Sequence, residues 1–471
     1  MKTLVWFRGK DLRVGDQPAL SAARKDALVV PFFVLSPKVV STERAARSPH
    51  RTRFLLDSVG ALAKNLERRS SRLVLGRGAE TDAVLSAASR FGVDRVVTLR
   101  RVEPFAREQD RVLRAALGER YETLEGETLL PPDALRTGSG TPYTVFTPFA
   151  RAFRAREHEV GEPLPAPTSL PPVPRELESA ELPTPGSLGL PEASSTLPGG
   201  ERAARTRLAR FIETRARDYA DARDRLDRDG TSRLSQDLAF GTVSITTVYR
   251  AARLAAAVPD RARSAFTNEL LWREFTHATL HARPELVREP FRAEFRDFPW
   301  EADEKGFEAW RQGMTGYPVV DAAQRELLAD GFVPNRARMI TVSFLSKHLL
   351  VDYRRGEAHY LDLLTDADVA QNNAGFQWSA GTGADAEPYF RVFNPTLQGE
   401  KFDPEGSYVK RWVPELADLP KRFIHRPWEA PEPVLRDARV TLGKTYPRPI
   451  VDHAEARTRF LALASSLRAA E

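Results

Sequence analysis

Residues 27–35 read Ala-Leu-Val-Val-Pro-Phe-Phe-Val-Leu, the longest apolar run in the chain. The run is far short of the ~18 residues a membrane span requires. It suits a strand with both faces covered. Working outward, Thr3–Phe7, Arg72–Leu75 and Arg95–Leu99 also hold strand-type residues between turn residues or charges. Amphipathic stretches separate them. Within Arg51–Arg69, Phe54, Leu55, Val59, Leu62, Ala63 and Leu66 fall at helical spacing. Such alternation over residues 1–130 predicts a parallel, Rossmann-like sheet with helices on both faces. No phosphate fingerprint accompanies it. Arg8-Gly9-Lys10 is not a phosphate loop, and Gly76-Arg77-Gly78 lacks the third glycine.

The remaining chain has a different character. Between Glu162 and Pro198 lie ten prolines among Ser, Thr, Glu and Gly, which predicts a long semi-extended connector. From Glu201 onward, amphipathic stretches at 201–228, 242–257, 260–282, 303–312, 318–330, 335–355 and 357–364 predict an all-helical domain. The expected division is 1–130 (α/β), 131–200 (linker) and 201–471 (helical). With 42% hydrophobic and 28% charged residues in 471, the composition is that of a globular protein. The absence of cysteine excludes disulfides and thiolate metal sites. A start directly into a strand carries no secretory pattern, so a cytoplasmic location is expected. The net charge of +6 and pI near 9.5 favour an anionic partner.

Four segments concentrate polar and aromatic chemistry. Thr231-Ser232-Arg233-Leu234-Ser235 puts three hydroxyls and a guanidinium before a helical run, which reads either as a diphosphate cradle or as an ordinary N-cap. In Asn268–Phe275, Glu269, Trp272 and Arg273 share a face with Thr276, giving a polar aromatic pocket or a surface ion pair. Asn335, Arg338 and Met339 share another face, beside Arg336. His277 and His281 stand at i, i+4 without the glutamate of HExxH, and a structural role is expected for them. Asp366–Arg391, DADVAQNNAGFQWSAGTGADAEPYFR, combines acids, adjacent amides, aromatics and glycines. It reads as a wall for a planar polar ligand, too irregular for a single helix or strand.

Together with TLVWFR…DLR, TPYTVFTPF, TGYPVVDA and YFRVFNPTLQGEKFDPEG, these segments resemble the photolyase/cryptochrome flavoproteins over essentially the whole chain. The pattern is most similar to class I cyclobutane pyrimidine dimer DNA photolyases. That resemblance implies an N-terminal antenna domain, a Pro-rich linker and a C-terminal helical FAD-binding domain. It implies FAD held by Tyr219, Thr231, Ser232, Arg233, Leu234 and Ser235 near the phosphates and ribitol. Arg338, Asp366, Asp368 and Asn372 would surround the isoalloxazine, with Arg338 and Asp366 paired and Asn372 facing N5.

The implied substrate is a flipped-out dimer in UV-damaged DNA. Trp272 and Trp378 would be its walls, Glu269 its polar contact, and Asn335 and Met339 the rest of the cavity. Arg223, Arg273, Arg336 and Arg391 would meet DNA phosphates. The implied activity is that of a light-driven carbon–carbon lyase acting as a monomer, with neither membrane nor obligate protein partner. A cryptochrome-like blue-light photoreceptor without repair activity is the alternative.

Three departures from the family pattern stand out. The three-tryptophan electron chain matches Trp300 at the surface, Tyr353 in the middle and Phe376 next to the flavin. Phenylalanine is much harder to oxidise than indole, so impaired photoreduction is expected. Ala45-Ala46-Arg47 and Pro104-Phe105-Ala106 stand where folate-type members carry a histidine and an Asn-Glu pair. A folate antenna is therefore not expected, while Val102-Glu103-Pro104-Phe105 resembles deazaflavin or flavin users; an empty cleft is the other possibility. Finally, Phe266 replaces a tryptophan of the dimer rim.

Overall fold

The computed structural model describes residues 1–191, 197–386, 388 and 390–469. Glu387 and Tyr389 of the Asp366–Arg391 stretch, and 192–196 of the connector, lie outside the described residues. The chain forms two compact units, neither contiguous in sequence. The first comprises residues 1–220, 231–284 and 365–370; the second comprises 221–230, 285–364 and 371–471.

In the first unit, β1 (Lys2–Phe7), β2 (Leu28–Leu35), β3 (Val74–Arg77), β4 (Arg95–Leu99) and β5 (Tyr121–Leu124) form one sheet in the order β3-β2-β1-β4-β5. All four pairings are parallel, with Val5 opposite Pro31 on one side and Val97 on the other. The two-residue period explains why β2 reads as an unbroken apolar run. Val29, Phe33 and Leu35 pack with Phe54, Leu55, Val59 and Leu62 of the helix Pro49–Glu67. Val30, Phe32 and Val34 face the other way, onto Val84 and Ala88 of Glu80–Arg90 and Leu113 of Pro104–Leu117. Both faces are covered, as parallel sheets require. Pro31 is tolerated because pairing with β3 begins only at Phe32, so one side of Pro31 has no partner strand.

β5 escapes the sequence reading: Tyr-Glu-Thr-Leu is four residues long, mostly half-buried, and lies at the sheet edge. The opposite edge, β3, is covered by the Pro-rich connector. Leu75 N donates to Ser179 Oγ at 2.9 Å, and Ala180 N donates to Leu75 O at 2.8 Å. Leu170 N donates to Arg69 O at 2.8 Å in the same way. Described residues of the connector are thus bonded to the unit at Leu170, Ser179 and Ala180.

Helices of the expected type follow. Asp260–Ala282 belongs to the first unit, while Glu304–Gln312 and Pro318–Asp330 belong to the second. The expected helix 335–355 instead breaks into Asn335–Lys347 and Tyr353–Leu363. Leu350 adopts a left-handed φ of +53°, and Asp352 caps the new helix by accepting from Arg354 N. The expected 201–228 ends its first helix at Thr214 and continues as a 3-10 turn, Ala216–Asp218, and a short α-helix, Tyr219–Ala222.

Among the described residues no helix is long and apolar enough to cross a membrane. The second unit is built on Pro318–Asp330, most of whose residues are buried. Asp321, fully buried, accepts from Thr315 N (2.7 Å), Thr315 Oγ1 (2.6 Å), Gly316 N (3.0 Å) and Tyr446 OH (2.6 Å).

Candidate functional site

The Asp366–Arg391 stretch does contain a single helix, Val369–Ala380, contrary to the expectation of irregularity. Its glycine costs little packing: a Cβ on Gly375 would meet nothing within 4 Å. Gly381, at φ +87°, follows the last helical residue. Asp366, Asp368 and Asn372 are buried at its start, and Phe376 is buried one turn further on, while Trp378 is half-buried.

In the second unit, Glu357 organises the two amides. Asn372 Nδ2 donates to Glu357 O at 3.2 Å, and Asn373 Nδ2 donates to both Glu357 carboxylate oxygens at 3.1 and 3.2 Å. Sequence reading missed Glu357, because an acid on an amphipathic helix reads as solvent-facing. Its burial pushes the carboxyl up to about 7, against the lowering effect of the Asn373 bond. Between its ordinary value and about 7, the folded state holds a proton that the unfolded chain has released. Stability therefore falls as pH rises through that window, by at most about 3 kcal/mol. Thermal midpoints of wild type across pH 4–8 should show this slope, and Glu357→Gln should remove its share. Parallel profiles for the two proteins would contradict it.

Phe376 packs edge-on against Tyr360 at 5.1 Å, and Tyr360 stacks on Trp310 at 5.8 Å. Gly356 makes this possible. A Cβ there would lie 2.4 Å from Leu345, 2.9 Å from Phe376 and 3.2 Å from Trp310. Trp300, half-buried, meets Tyr353 edge-on at 6.1 Å. Asn335 is exposed and its Nδ2 lies 3.8 Å from Met339 Sδ, while Arg338 Nε donates to Val333 O at 2.7 Å. Arg336 pairs with Asp224 at 3.2 Å and lies over Phe402, and Arg391 is exposed.

In the first unit, Asp260–Ala282 buries Leu270, Leu271 and Phe275, and leaves Glu269 and Trp272 half-buried. The Trp272 indole lies flat on Phe146, at 3.9 Å and 7°, with Phe275 against its edge. Arg273 departs from the phosphate contact expected of it. It is 4% exposed, donates to Glu127 O at 2.8 Å and pairs with Glu274 at 3.4 Å. The i+4 position turns inward here, so the guanidinium serves the interior. Phe266 is buried and packs with Tyr219 and Phe211.

The hydroxyl segment leaves the capping alternative unused. The helix Ser235–Phe240 has no side-chain cap, Ser232 Oγ accepts from Leu234 N at 3.3 Å, and Arg233 sits at φ +55°.

Asp368 joins a buried ionic cluster that sequence reading did not anticipate. Lys10 Nζ bonds Asp368 Oδ2 at 2.6 Å and Glu127 Oε1 at 2.9 Å, and pairs with Glu103. Arg101 grips Glu103 through both oxygens at 2.9 and 3.1 Å. His277 donates Nδ1–H to Arg273 O at 2.8 Å and places Nε2 3.5 Å from Asp368. Glu127, His277 and Asp368 bring ligand atoms within 4.8 Å of one another, a metal-like spacing, but the Lys10 ammonium supplies the cation there. Burial disfavours its charge, yet the three carboxylates hold its pKa above the ordinary value, and Asp368 is held well below its own.

A cleft of about 160 Å³ opens beside this cluster at the carboxyl ends of β1 and β2. Arg8, Lys10, Lys38, Arg44, Arg51 and Arg101 line it with Phe33, Phe105 and Phe240, and Glu80 is the acid among its described lining residues. Such a crevice, where the strand order reverses at β1, is where doubly wound sheets bind ligands.

The family model described as the FAD binding domain of DNA photolyase matches residues 266–466, and the one described as DNA photolyase matches residues 3–169. The chain is 42% identical to a deoxyribodipyrimidine photo-lyase of Agrobacterium fabrum, over 98% of this chain and 96% of that one. It is similar to the crystal structure of a bacterial class III photolyase from Agrobacterium tumefaciens, with TM-score 0.91, 40% identity, and 99% and 98% of the two chains covered. It is also similar to a cryptochrome from Synechocystis sp. PCC6803, with TM-score 0.89, 30% identity, and 98% and 99% covered. The chain is an FAD-binding flavoprotein by class. It belongs to the photolyase/cryptochrome family.

Proposed function

We propose that the protein is a deoxyribodipyrimidine photo-lyase that repairs cyclobutane pyrimidine dimers in DNA. The observation that carries this reading is Trp272, a half-buried indole held flat against Phe146 on the helix that also presents Glu269. A flipped-out dimer needs such a rigid aromatic wall beside one polar contact. Trp378, Asn335 and Met339 are assigned to the same substrate. Arg223, Arg336 and Arg391 are assigned to the phosphates; buried Arg273 is reassigned to holding the Glu127 segment.

The residues fit FAD. Thr231, Ser232 and Ser235 offer hydroxyls at an uncapped helix start, beside Arg233 and Leu234, and Tyr219 stands in the same unit. Arg338, Asp366, Asp368 and Asn372 supply the polar groups for the isoalloxazine. Asn372, its amide nitrogen anchored on Glu357, can present its carbonyl oxygen to the protonated N5 of reduced flavin. FAD, when bound in its reduced form and excited by blue light, supplies the electron that opens the dimer and receives it back. The protein's part is to bind, orient and exclude water; no general base is required.

The basic cleft is proposed as the seat of a second, light-harvesting chromophore of deazaflavin or flavin type. Its cations and aromatic walls support an anionic heterocycle, and Ala45-Ala46-Arg47 and Pro104-Phe105-Ala106 stand where folate-type members carry a histidine and an Asn-Glu pair. The 1–130, 131–200 and 201–471 partition into antenna, linker and repair segments, a cytoplasmic location and a monomer working without an obligate protein partner belong to the same reading.

Purified, chemically reduced protein should restore thymine-dimer oligonucleotide under blue light and not in the dark. FAD-loaded protein that shows no repair would favour the photoreceptor alternative, which the cryptochrome likeness supports.

A further inference from the structure

We propose that Phe146 is a positioning residue for the lesion wall: it fixes the plane of Trp272, so that the indole presents one set face to the extruded dimer. This rests on the reading that Trp272 walls the dimer, and it gives the segment 131–200 a part in the site. Phe146 opens the helix Phe146–Ala155, which is anchored by buried Phe149, Ala150 and Phe153. Phe149 packs against Phe275 at 5.3 Å and Phe153 against Tyr249 at 5.9 Å, and Arg154 Nη2 donates to Asn268 Oδ1. Phe146 and Phe149, one turn apart, thus meet Trp272 and Phe275, one turn apart on Asp260–Ala282.

This packing limits what the indole can do. The outer torsion of a tryptophan side chain has a broad preference, so a half-exposed indole left alone samples a range of planes. Here the Phe146 ring lies 3.9 Å away at 7°, and Phe275 meets the indole at 5.7 Å and 77°. Turning the indole about its outer torsion would drive an edge into Phe146. One face is covered, and the part of the side chain that stays exposed looks away from Phe146. A dimer that stacks there meets a surface already ordered, and binding is spared the entropy of stopping it. Bases that remain stacked in undamaged DNA gain nothing from that order. Phe146 therefore acts on the discrimination between damaged and undamaged strands.

The test uses FAD-loaded protein and two duplex oligonucleotides, one holding a thymine dimer and one undamaged, titrated in the dark. Phe146→Leu should weaken dimer binding on the order of fivefold, the range of one aromatic pair. It should leave the affinity for the undamaged duplex and the absorption of the bound flavin as they are. Phe146→Tyr, which keeps the ring, should recover the dimer affinity. Trp272→Leu should weaken dimer binding further, and Phe146→Leu added to it should do little more. Phe149→Leu loosens the same two helices through Phe275, so it should lower the thermal midpoint and spare the dimer affinity.

If Trp272→Leu leaves dimer binding unchanged, the reading of Trp272 as a wall fails. If it weakens binding while folded Phe146→Leu does not, the role proposed for Phe146 is overturned. A loss in Phe149→Leu equal to that in Phe146→Leu overturns it as well. Should Phe146→Leu not fold, Phe146→Met, which fills the space with a flexible chain, must show the same loss.

Discussion

Phe376→Trp is expected to accelerate light-driven reduction of oxidised FAD on the order of tenfold or more, each tenfold being about 1.4 kcal/mol of barrier. The wild-type protein should reduce slowly under the same flash with an external thiol donor. Phe376 stands where the resemblance places the first electron donor, and a phenyl ring is much harder to oxidise than an indole. Trp300 and Tyr353, which the resemblance assigns to the outer part of the chain, lie 6.1 Å apart.

The substitution must be accommodated, because Phe376 is 2% exposed and packed against Tyr360 and the open face of Gly356. An overpacking cost of about 1–3 kcal/mol is therefore expected in stability, without loss of the rate gain. Transient absorption after the flash checks the result. Fast wild-type radical formation, equal to that of Phe376→Trp, would contradict it. In that event the neighbouring Tyr360–Trp310 stack, at 5.8 Å, becomes the route to examine with Trp310→Phe.

Asp321→Ala should cost about 3–5 kcal/mol of unfolding free energy, among the largest effects available away from the ligand sites. The carboxylate satisfies four donors on three residues, and one of them, Tyr446, lies 125 positions away. Removing it orphans buried N–H and O–H groups that cannot reach water. Asp321→Asn should cost less, since one acceptor oxygen survives. Urea denaturation followed by circular dichroism measures both. A loss below about 1 kcal/mol for Asp321→Ala would mean that water enters the gap and replaces the carboxylate.

Much of this was legible before any coordinates. Strands β1 to β4, the connector and the helices at 260–282 and 318–330 were legible in the apolar runs, the proline content and the helical spacing of the sequence. β5 was not, since one buried and three half-buried edge residues carry too little pattern. The break at Leu350 was invisible because the apolar rhythm runs straight through it, and only a left-handed residue and the Asp352 cap interrupt the backbone.

At the site, Trp272 and Glu269 could be placed from their shared helical face. Arg273, one position on, could not, because its inward turn depends on where the Glu127 carbonyl lies. Lys10, Glu127 and Glu357 were missed for a related reason. Charged side chains read as solvent-facing until a partner distant in sequence explains their burial, and Lys10 and Asp368 are 358 positions apart.

The connector along β3 has a bearing on how the protein fails. A protease cut near Ser179 would not simply release a loose tether. It would strip the N–H and C=O of Leu75 of their partners and leave a raw strand edge able to recruit another chain. Nicked protein should therefore precipitate rather than separate cleanly into pieces. The proline content that keeps this segment from becoming a true sixth strand also keeps it from offering a new edge of its own.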